Sequence, residues 1–176
     1  MADKLPEPKF APDHRKDPFM RSVLRELVGI LESIIGEREA EAYINHVGVT
    51  LGQVLNEEYR AAFAEDRLDL AQVAATLVDL KARIDGGFFI ESMDRNEIVL
   101  VNTACPFGDK VIGRTSLCRM TANVFGHIVA ENLGYARVGI QEAIARGHSR
   151  CRVTIGIADP VLPVDTQASE FFASDQ

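Results

Sequence analysis

The 176 residues predict an α+β domain, an N-terminal helical layer packed on an antiparallel sheet of two β-hairpins joined by a helix. Apolar residues recur at helical spacing through three successive stretches, ending at the glycine pair of "DGG". The pattern then switches to short β-rich runs around turn residues, once before and once after a further helical stretch. Helices and strands that cluster in separate runs mark a layered α+β arrangement rather than an alternating α/β one.

Each element has its own signal. Residues 1–16 are rich in proline and charge with little to bury, and are expected to form a disordered arm. Asp17-Pro18 reads as a helix start, a capping carboxylate followed by proline at the first helical position. Val23, Leu24, Leu27, Val28, Leu31, Ile34 and Ile35 then keep helical spacing up to Gly36. A second helix is expected over about 38–62, with Ile44, Val47, Leu51, Val54 and Leu55 on its apolar stripe. Asp69 is placed to cap a third, through Val73, Leu77, Leu80 and Ile84. "FFIESM" and "EIVLVN" flank "DRN" as a first hairpin at about 88–102, and "CPFGD" follows as a tight loop. Residues 114–133 read as a helix stopped by Gly134. "YARVGIQE" and "RCRVTIGIA" form a second hairpin around "ARGHS". A single domain over 17–159 is expected, with 160–176 as a flexible tail.

Composition narrows the function classes. The apolar fraction of 47% suits a soluble globular chain, no run is long enough to span a bilayer, and the opening residues hold no signal core. Three cysteines, an odd count, fit a reducing compartment better than a disulfide framework, so a cytoplasmic location is expected. The net charge of −7 speaks against a nucleic-acid-coating surface. It also conceals an asymmetry: residues 105–152 carry seven cations against three anions, and the remainder twelve against twenty-three. The positive segment holds all three cysteines. No phosphate-binding glycine loop, HExxH or G-x-S-x-G motif occurs. An enzyme is not expected; one reactive thiol would need a base that no histidine is placed to supply.

Cys105, Cys118 and Cys151 are spaced C-x12-C-x32-C. The predicted elements put Cys105 in the loop after a strand, Cys118 in the first turns of the connecting helix, and Cys151 at the start of the last strand, three points that can meet at one end of a sheet. Thiolate is the ligand form of cysteine, and Lys110, Arg114, Arg119, Arg150 and Arg152 are neighbours whose charge would favour it. An iron–sulfur cluster uses thiolates almost exclusively. Zinc competes through a Cys3His site, although the compact zinc knuckle is absent. His148, three residues before Cys151, and Asp109 are the candidate fourth ligands, with water or a small molecule as further options. His127 is half a turn out of phase with Cys118, and His14 and His46 read as tail or surface residues. The alternative, that all three cysteines are small buried hydrophobes without metal, stays open on spacing alone.

The stretch "NTACPFGDKV…SLCRMTANVFGHIVAENLGYARVGIQEAIARGHSRCRVTIGI" resembles the methanogen output domain family, whose members serve as signalling output modules. It is also similar to the effector domain of iron–sulfur-sensing winged-helix repressors, through Cys105-Pro106-Phe107, Cys118 and the Gly147–Cys151 closing motif. A more distant likeness is to 4-vinyl-reductase-type ligand-binding domains. The resemblance spans about residues 20–158 and favours iron–sulfur over zinc. Two features depart from the repressors: no winged-helix segment precedes the domain in this sequence, so DNA binding is not carried over, and no cysteine stands shortly before Cys151.

The expectation is therefore a sensory or regulatory module that binds an iron–sulfur cluster, [4Fe–4S], through Cys105, Cys118 and Cys151. It would signal to a partner protein or to a dimer mate paired through the N-terminal helices, without contacting nucleic acid or membrane. The competing expectations are a pocket for a small apolar ligand with metal-free cysteines, and a zinc-binding module.

Overall fold

The computed structural model describes residues 15–158 and 168–174. Of the expected arm at 1–16, residues 1–14, including His14, lie outside the described residues, as do 159 and the tail positions 160–167 and 175–176; Lys16 is already part of the first helix. Three helices, α1 (Lys16–Ile35), α2 (Glu37–Phe63) and α3 (Leu70–Ala82), precede a hairpin of β1 (Phe89–Met93) and β2 (Glu97–Asn102). A 3-10 turn at Gly108–Val111 leads into α4 (Ser116–Leu133). The second hairpin is β3 (Tyr135–Glu142) and β4 (Cys151–Gly156), and β5 (Ser169–Phe172) ends the described chain. The strands form one antiparallel sheet in the order β1-β2-β4-β3-β5. The predicted α+β class, helices first and hairpin–helix–hairpin after, is the observed one.

Three local expectations are corrected. Ser169–Phe172, read as loose tail, is an edge strand paired with β3, and Phe171 lies where a Cβ on Gly126 would overlap its ring. Four residues carry too little periodicity to announce a strand; the glycine-made slot on α4 supplies what the pattern lacks. The α1 cap is Arg15, not Asp17. Asp17 sits in the first turn, where its carboxylate complements the helix dipole, and Pro18 lacks an N–H that would have no intrahelical partner there. The third helix stops at Ala82, short of Ile84, because Asp85 takes a left-handed conformation (φ 58°) and the Gly86 amide donates back to Lys81 O. The Asp69 cap is as expected: its carboxylate accepts from the Gln72 amide at 2.8 Å, and the Gln72 side chain accepts from the Asp69 amide at 2.9 Å.

The main core lies between the sheet and the helices. Ile98 and Leu100 of β2, Val138 of β3 and Val153 and Ile155 of β4 meet Leu77 of α3 and Phe125, Ile128 and Val129 of α4. Phe88 and Phe125 pack edge to face with ring centres 5.6 Å apart. A second cluster joins Val28, Ile44, Val111, Leu117, Ala143 and Ala145 beneath α1. The helix α4 is buried along most of its circumference, including Asn123 and Asn132.

Close contact between α2 and α4 depends on two glycines. A Cβ on Gly48 would lie 2.7 Å from the Asn123 Cβ, and one on Gly52 would lie 3.0 Å from the His127 Cβ. At that range two amide pairs bridge the helices: Asn123 donates to Asn45 Oδ1 at 2.8 Å, and Asn132 to Asn56 Oδ1 at 2.6 Å. Asn132 Oδ1 also accepts from the Leu68 amide and from Arg60.

By contrast, α1 is attached through polar groups. Arg25 donates to the carbonyls of Lys110 and Ile112, Glu32 accepts from Arg114 at 3.1 Å and from Ser116 at 2.5 Å, and Arg21 pairs with Asp85 at 3.5 Å. Its apolar residues divide: Val28 is buried and Val23, Leu31 and Ile35 are half-buried, whereas Leu27, Ile30 and Ile34 face outward, 58%, 54% and 74% exposed. At the sheet edge all of β1 is exposed, and its pairing with β2 slips between Ile90 and Ser92. Among the described residues no helix is long and apolar enough to cross a membrane.

Replacing Gly by Ala inside a helix ordinarily stabilises it by about 1 kcal/mol. At Gly48 the sign is expected to reverse, because the added methyl meets the Asn123 side chain. Gly48→Ala should destabilise the fold by about 1–3 kcal/mol, the usual range for overpacking, read as a lower urea midpoint at unchanged slope.

Candidate functional site

The register between the two hairpins builds the site. Asn102, the last residue of β2, stands opposite Cys151, the first of β4. The chain leaves β2 at Asn102 and reaches Cys105 three residues later, at the same end of the sheet. A turn closed by the Gly108 amide on Cys105 O (2.8 Å) folds Pro106 and Phe107 back over the site, with Gly108 at φ 59°. Cys118 lies in the first turn of α4.

Cys105, Cys118 and Cys151 line one cavity of about 30 Å³, together with Phe88, Asn102, Pro106, Phe107, Leu117, Thr121 and Ile140. The three-point convergence expected from the element order is present in the fold. The cavity lies at the seam of the two cores: Cys151 packs on the main cluster, Cys105 and Cys118 on the second. All three cysteines are free and half-buried. Among the described residues, no three of Cys, His, Asp and Glu are grouped so as to hold a metal ion.

Asn102, 1% exposed, organises this end of the sheet. Its amide nitrogen donates to Gly86 O at 2.9 Å and to Ala104 O, and its Oδ1 accepts from the Cys151 amide at 3.1 Å. One side chain thereby ties the end of α3, the Cys105 loop and the Cys151 strand together. The sulfurs also accept backbone hydrogen bonds, Cys151 from the Ile144 amide at 3.4 Å and Cys105 from the Phe107 amide.

The neighbouring arginines do not act as their sequence positions suggest. Arg114 pairs with Glu32, Arg119 with Glu41, Arg150 with Glu142 and Glu91, and Arg152 with Glu91. Those carboxylates come from α1, α2, β1 and the end of β3, and they spend the arginine charge on tying elements together. Burial dominates at the sulfurs instead. It raises the Cys118 thiol to about 12, with the other two thiols adding in the same direction, and raises Cys105 and Cys151 as well. The opposing cations are Lys81 at all three, Arg146 at Cys118 and Cys151, and Arg21 at Cys105.

Lys81 has no signature in the sequence; it reads there as one more polar residue of α3. In the fold it is 5% exposed. Its Nζ donates to Thr121 Oγ1 at 2.9 Å and sits 5.9 Å and 5.3 Å from the ring centres of Phe88 and Phe125. Burial lowers its pKa to about 8, against the pull of the three sulfurs.

The other expected ligands are placed elsewhere. His148 is exposed, its Nδ1 is 3.1 Å from Ala143 O, and it does not line the cavity. Asp109 is exposed on the 3-10 turn. His127 faces α2 at Gly52 and His46 is exposed, as the helical phase predicts. A second, larger cavity of about 280 Å³ adjoins the first through Cys118 and Ile140, with Glu41, Thr115, Arg119 and Arg146 around it. This cavity lies between helices and sheet, but its walls carry charge, unlike the apolar-ligand pocket of the competing expectation.

Two outcomes follow from Asn102 and Lys81. Asn102→Ala leaves the Cys151 amide and Gly86 O without their partner, and should cost about 1–3 kcal/mol in denaturant unfolding. Lys81→Met replaces a buried charge by an apolar side chain of similar shape, so it should be at least as stable as the native chain at pH 7. Lysine in an unfolded chain stays protonated to about pH 10.4, whereas folded Lys81 releases its proton near pH 8. Between these values the unfolded chain holds the extra proton, so this group makes stability rise with pH. The advantage of Lys81→Met should be greatest below pH 8 and shrink toward pH 10, as read by urea melts at stepped pH.

Comparison with known proteins agrees with this architecture. None of the curated proteins compared matches the chain. Among solved structures, the phenol-responsive sensory domain of the transcription activator PoxR, crystallised with phenol, is similar in fold. Its TM-score is 0.61 at 12% sequence identity, over 78% of this chain and 74% of that one. The family model of methanogen output domain 1 matches residues 23–156, a span that takes in all three cysteines and Lys81. This chain belongs to the methanogen output domain 1 family.

Proposed function

We propose that this domain is a sensory module whose three-cysteine cavity takes up an iron–sulfur cluster, and whose α1 helix passes the state of that cavity to a second copy of the chain. The observation that carries the reading is the convergence of Cys105, Cys118 and Cys151, from three separate elements, on one cavity backed by a buried cation. The donor set is all sulfur, which suits a cluster. A single zinc ion needs its thiolates within about 2.3 Å of one point; among the described residues no three ligating side chains are grouped for a metal ion, so the sulfurs have to move to take up zinc or a cluster. A cluster several atoms across takes thiolates at separate corners.

When bound, the group would supply a redox- and oxygen-sensitive centre at the seam of the two cores. The chain's own part is mechanical. A cavity of about 30 Å³ has room for on the order of two water molecules, so the Pro106–Phe107 turn has to give way on loading. The 3-10 turn that follows is held by Arg25 of α1 through the Lys110 and Ile112 carbonyls. Glu32 holds Ser116, two residues before Cys118. Displacement of the turn therefore pulls on α1 at two points.

Outward-facing apolar side chains of α1 and α2 give that helix something to act upon. Leu27, Ile30 and Ile34 on α1 and Tyr43, Val47 and Val54 on α2 are 47–74% exposed. Together with Phe19, Met20, Leu24 and Leu51 they offer on the order of 1,000 Å² of apolar surface, where a standard interface needs about 800 Å² per partner. A second copy of the chain brings an equal face.

A second reading is favoured by the 280 Å³ cavity, which approaches the size of small-molecule sites. The fold neighbour is a phenol-responsive sensory domain. On this reading a small ligand is the signal and the cysteines need no metal.

Anaerobic reconstitution with iron and sulfide decides between them. The expected product is brown, contains iron and acid-labile sulfide, and bleaches in air, and Cys105→Ser, Cys118→Ser and Cys151→Ser each lose most of the colour. A colourless native chain without iron or sulfide would overturn the cluster reading. Ligand binding that survives replacement of all three cysteines by serine would establish the second. For the pairing, light scattering should give a dimer for the native chain and a monomer for Leu27→Glu/Ile34→Glu, with unchanged circular dichroism. A monomeric native chain would remove the second copy as the partner.

A further inference from the structure

Lys81 is a buried ammonium without a carboxylate. Thr121 takes one of its protons, and Phe88 and Phe125 present ring faces. Among the described residues no ion pair involves it. Buried lysines are rare unless paired, and burying an unpaired charge costs stability. Thr121 and Phe88 are themselves walls of the cysteine cavity, so the ammonium stands directly behind its lining. Among the described residues no Asp or Glu lines the cavity, so the fold sets no carboxylate opposite this cation.

We propose that Lys81 is the built-in counter-cation of the cysteine cavity, which therefore selects an occupant of negative charge, a thiolate-ligated metal cluster, over a neutral apolar molecule. Thr121 is the positioning residue that aims the ammonium, and the two phenyl rings hold it in place without neutralising it. An anion in the cavity completes a charge pair across the Thr121–Phe88 wall. An empty or neutrally filled cavity leaves the ammonium unbalanced, so Lys81 ties stability of the fold to the charge of the occupant. This rests on the cavity being the functional site, as proposed above.

The test reads charge selection in the reduced, metal-free chain. Iodoacetate and iodoacetamide alkylate the same thiolate, so the ratio of their rates cancels the fraction of thiol ionised and reports the local charge. Salt at 0.5 M or so screens the solvent-facing Arg21 and Arg146 more than a buried ammonium. Relative to glutathione, the native chain should favour iodoacetate on the order of tenfold. Lys81→Met and Lys81→Gln should lose that preference, and Thr121→Val should reduce it. In reconstituted protein, Lys81→Gln should also lower the reduction potential of the bound cluster.

The two readings fail separately. An iodoacetate preference that falls with Lys81→Met supports the counter-cation whether or not the native chain takes up iron. An unchanged ratio in both folded Lys81 variants overturns it, even where the cluster assembles normally. A ratio near that of glutathione in the native chain overturns it as well.

Discussion

The close approach of α2 to α4 is the constraint from which the rest of the domain follows. Without side chains at Gly48 and Gly52 the two helices come near enough for Asn45 to reach Asn123 and Asn56 to reach Asn132. Amides buried in this way are satisfied in one register and left unsatisfied in its neighbours, so they fix how far α4 slides along α2. That axial position sets the height of Cys118 relative to the sheet, and with it whether three sulfurs meet. The first turn of α4 is held again from α1 through Ser116 and Glu32. The cysteine cavity thus inherits its geometry from contacts as distant as Asn132.

Much of the fold could be read from periodicity because the elements are long and their signals local. Gly36, Asp69 and Gly134 each mark a boundary by themselves, and the hairpins carry turn residues between β-rich runs. Legibility failed where structure is decided by partners far off in sequence. Nothing in "SEFF" indicates a strand, since what fixes it is an empty slot on Gly126 some forty-five residues earlier. Asp17 looked like a cap because the sequence does not show that Arg15 already has the required extended backbone.

The site was legible in the same uneven way. Three sulfurs at one end of a sheet could be inferred from element order alone. Their electrostatics could not, because adjacency in sequence is a poor guide to adjacency in space. Arg150 and Arg152 flank Cys151 along the chain, yet alternation in the strand and the carboxylate of Glu91 carry their charge away. The cation that acts on all three sulfurs, Lys81, comes from a helix whose sequence is an ordinary amphipathic pattern. Asn102 was hidden likewise, as the last letter of a strand whose other residues are plainly core.

The irregularity in β1 bears on how copies of this chain can meet. A sheet with two open edges is a template for further strands, and chains joined edge to edge add without limit. Here the slip between Ile90 and Ser92 twists one rim out of register, and a strand of only four residues closes the other. Among the described residues both rims are thus poor acceptors of a new strand, which disfavours edge-to-edge pairing of copies. The pairing proposed above, through side chains on the helical flank, uses neither rim, and an interface of that kind can close on itself and stop at two.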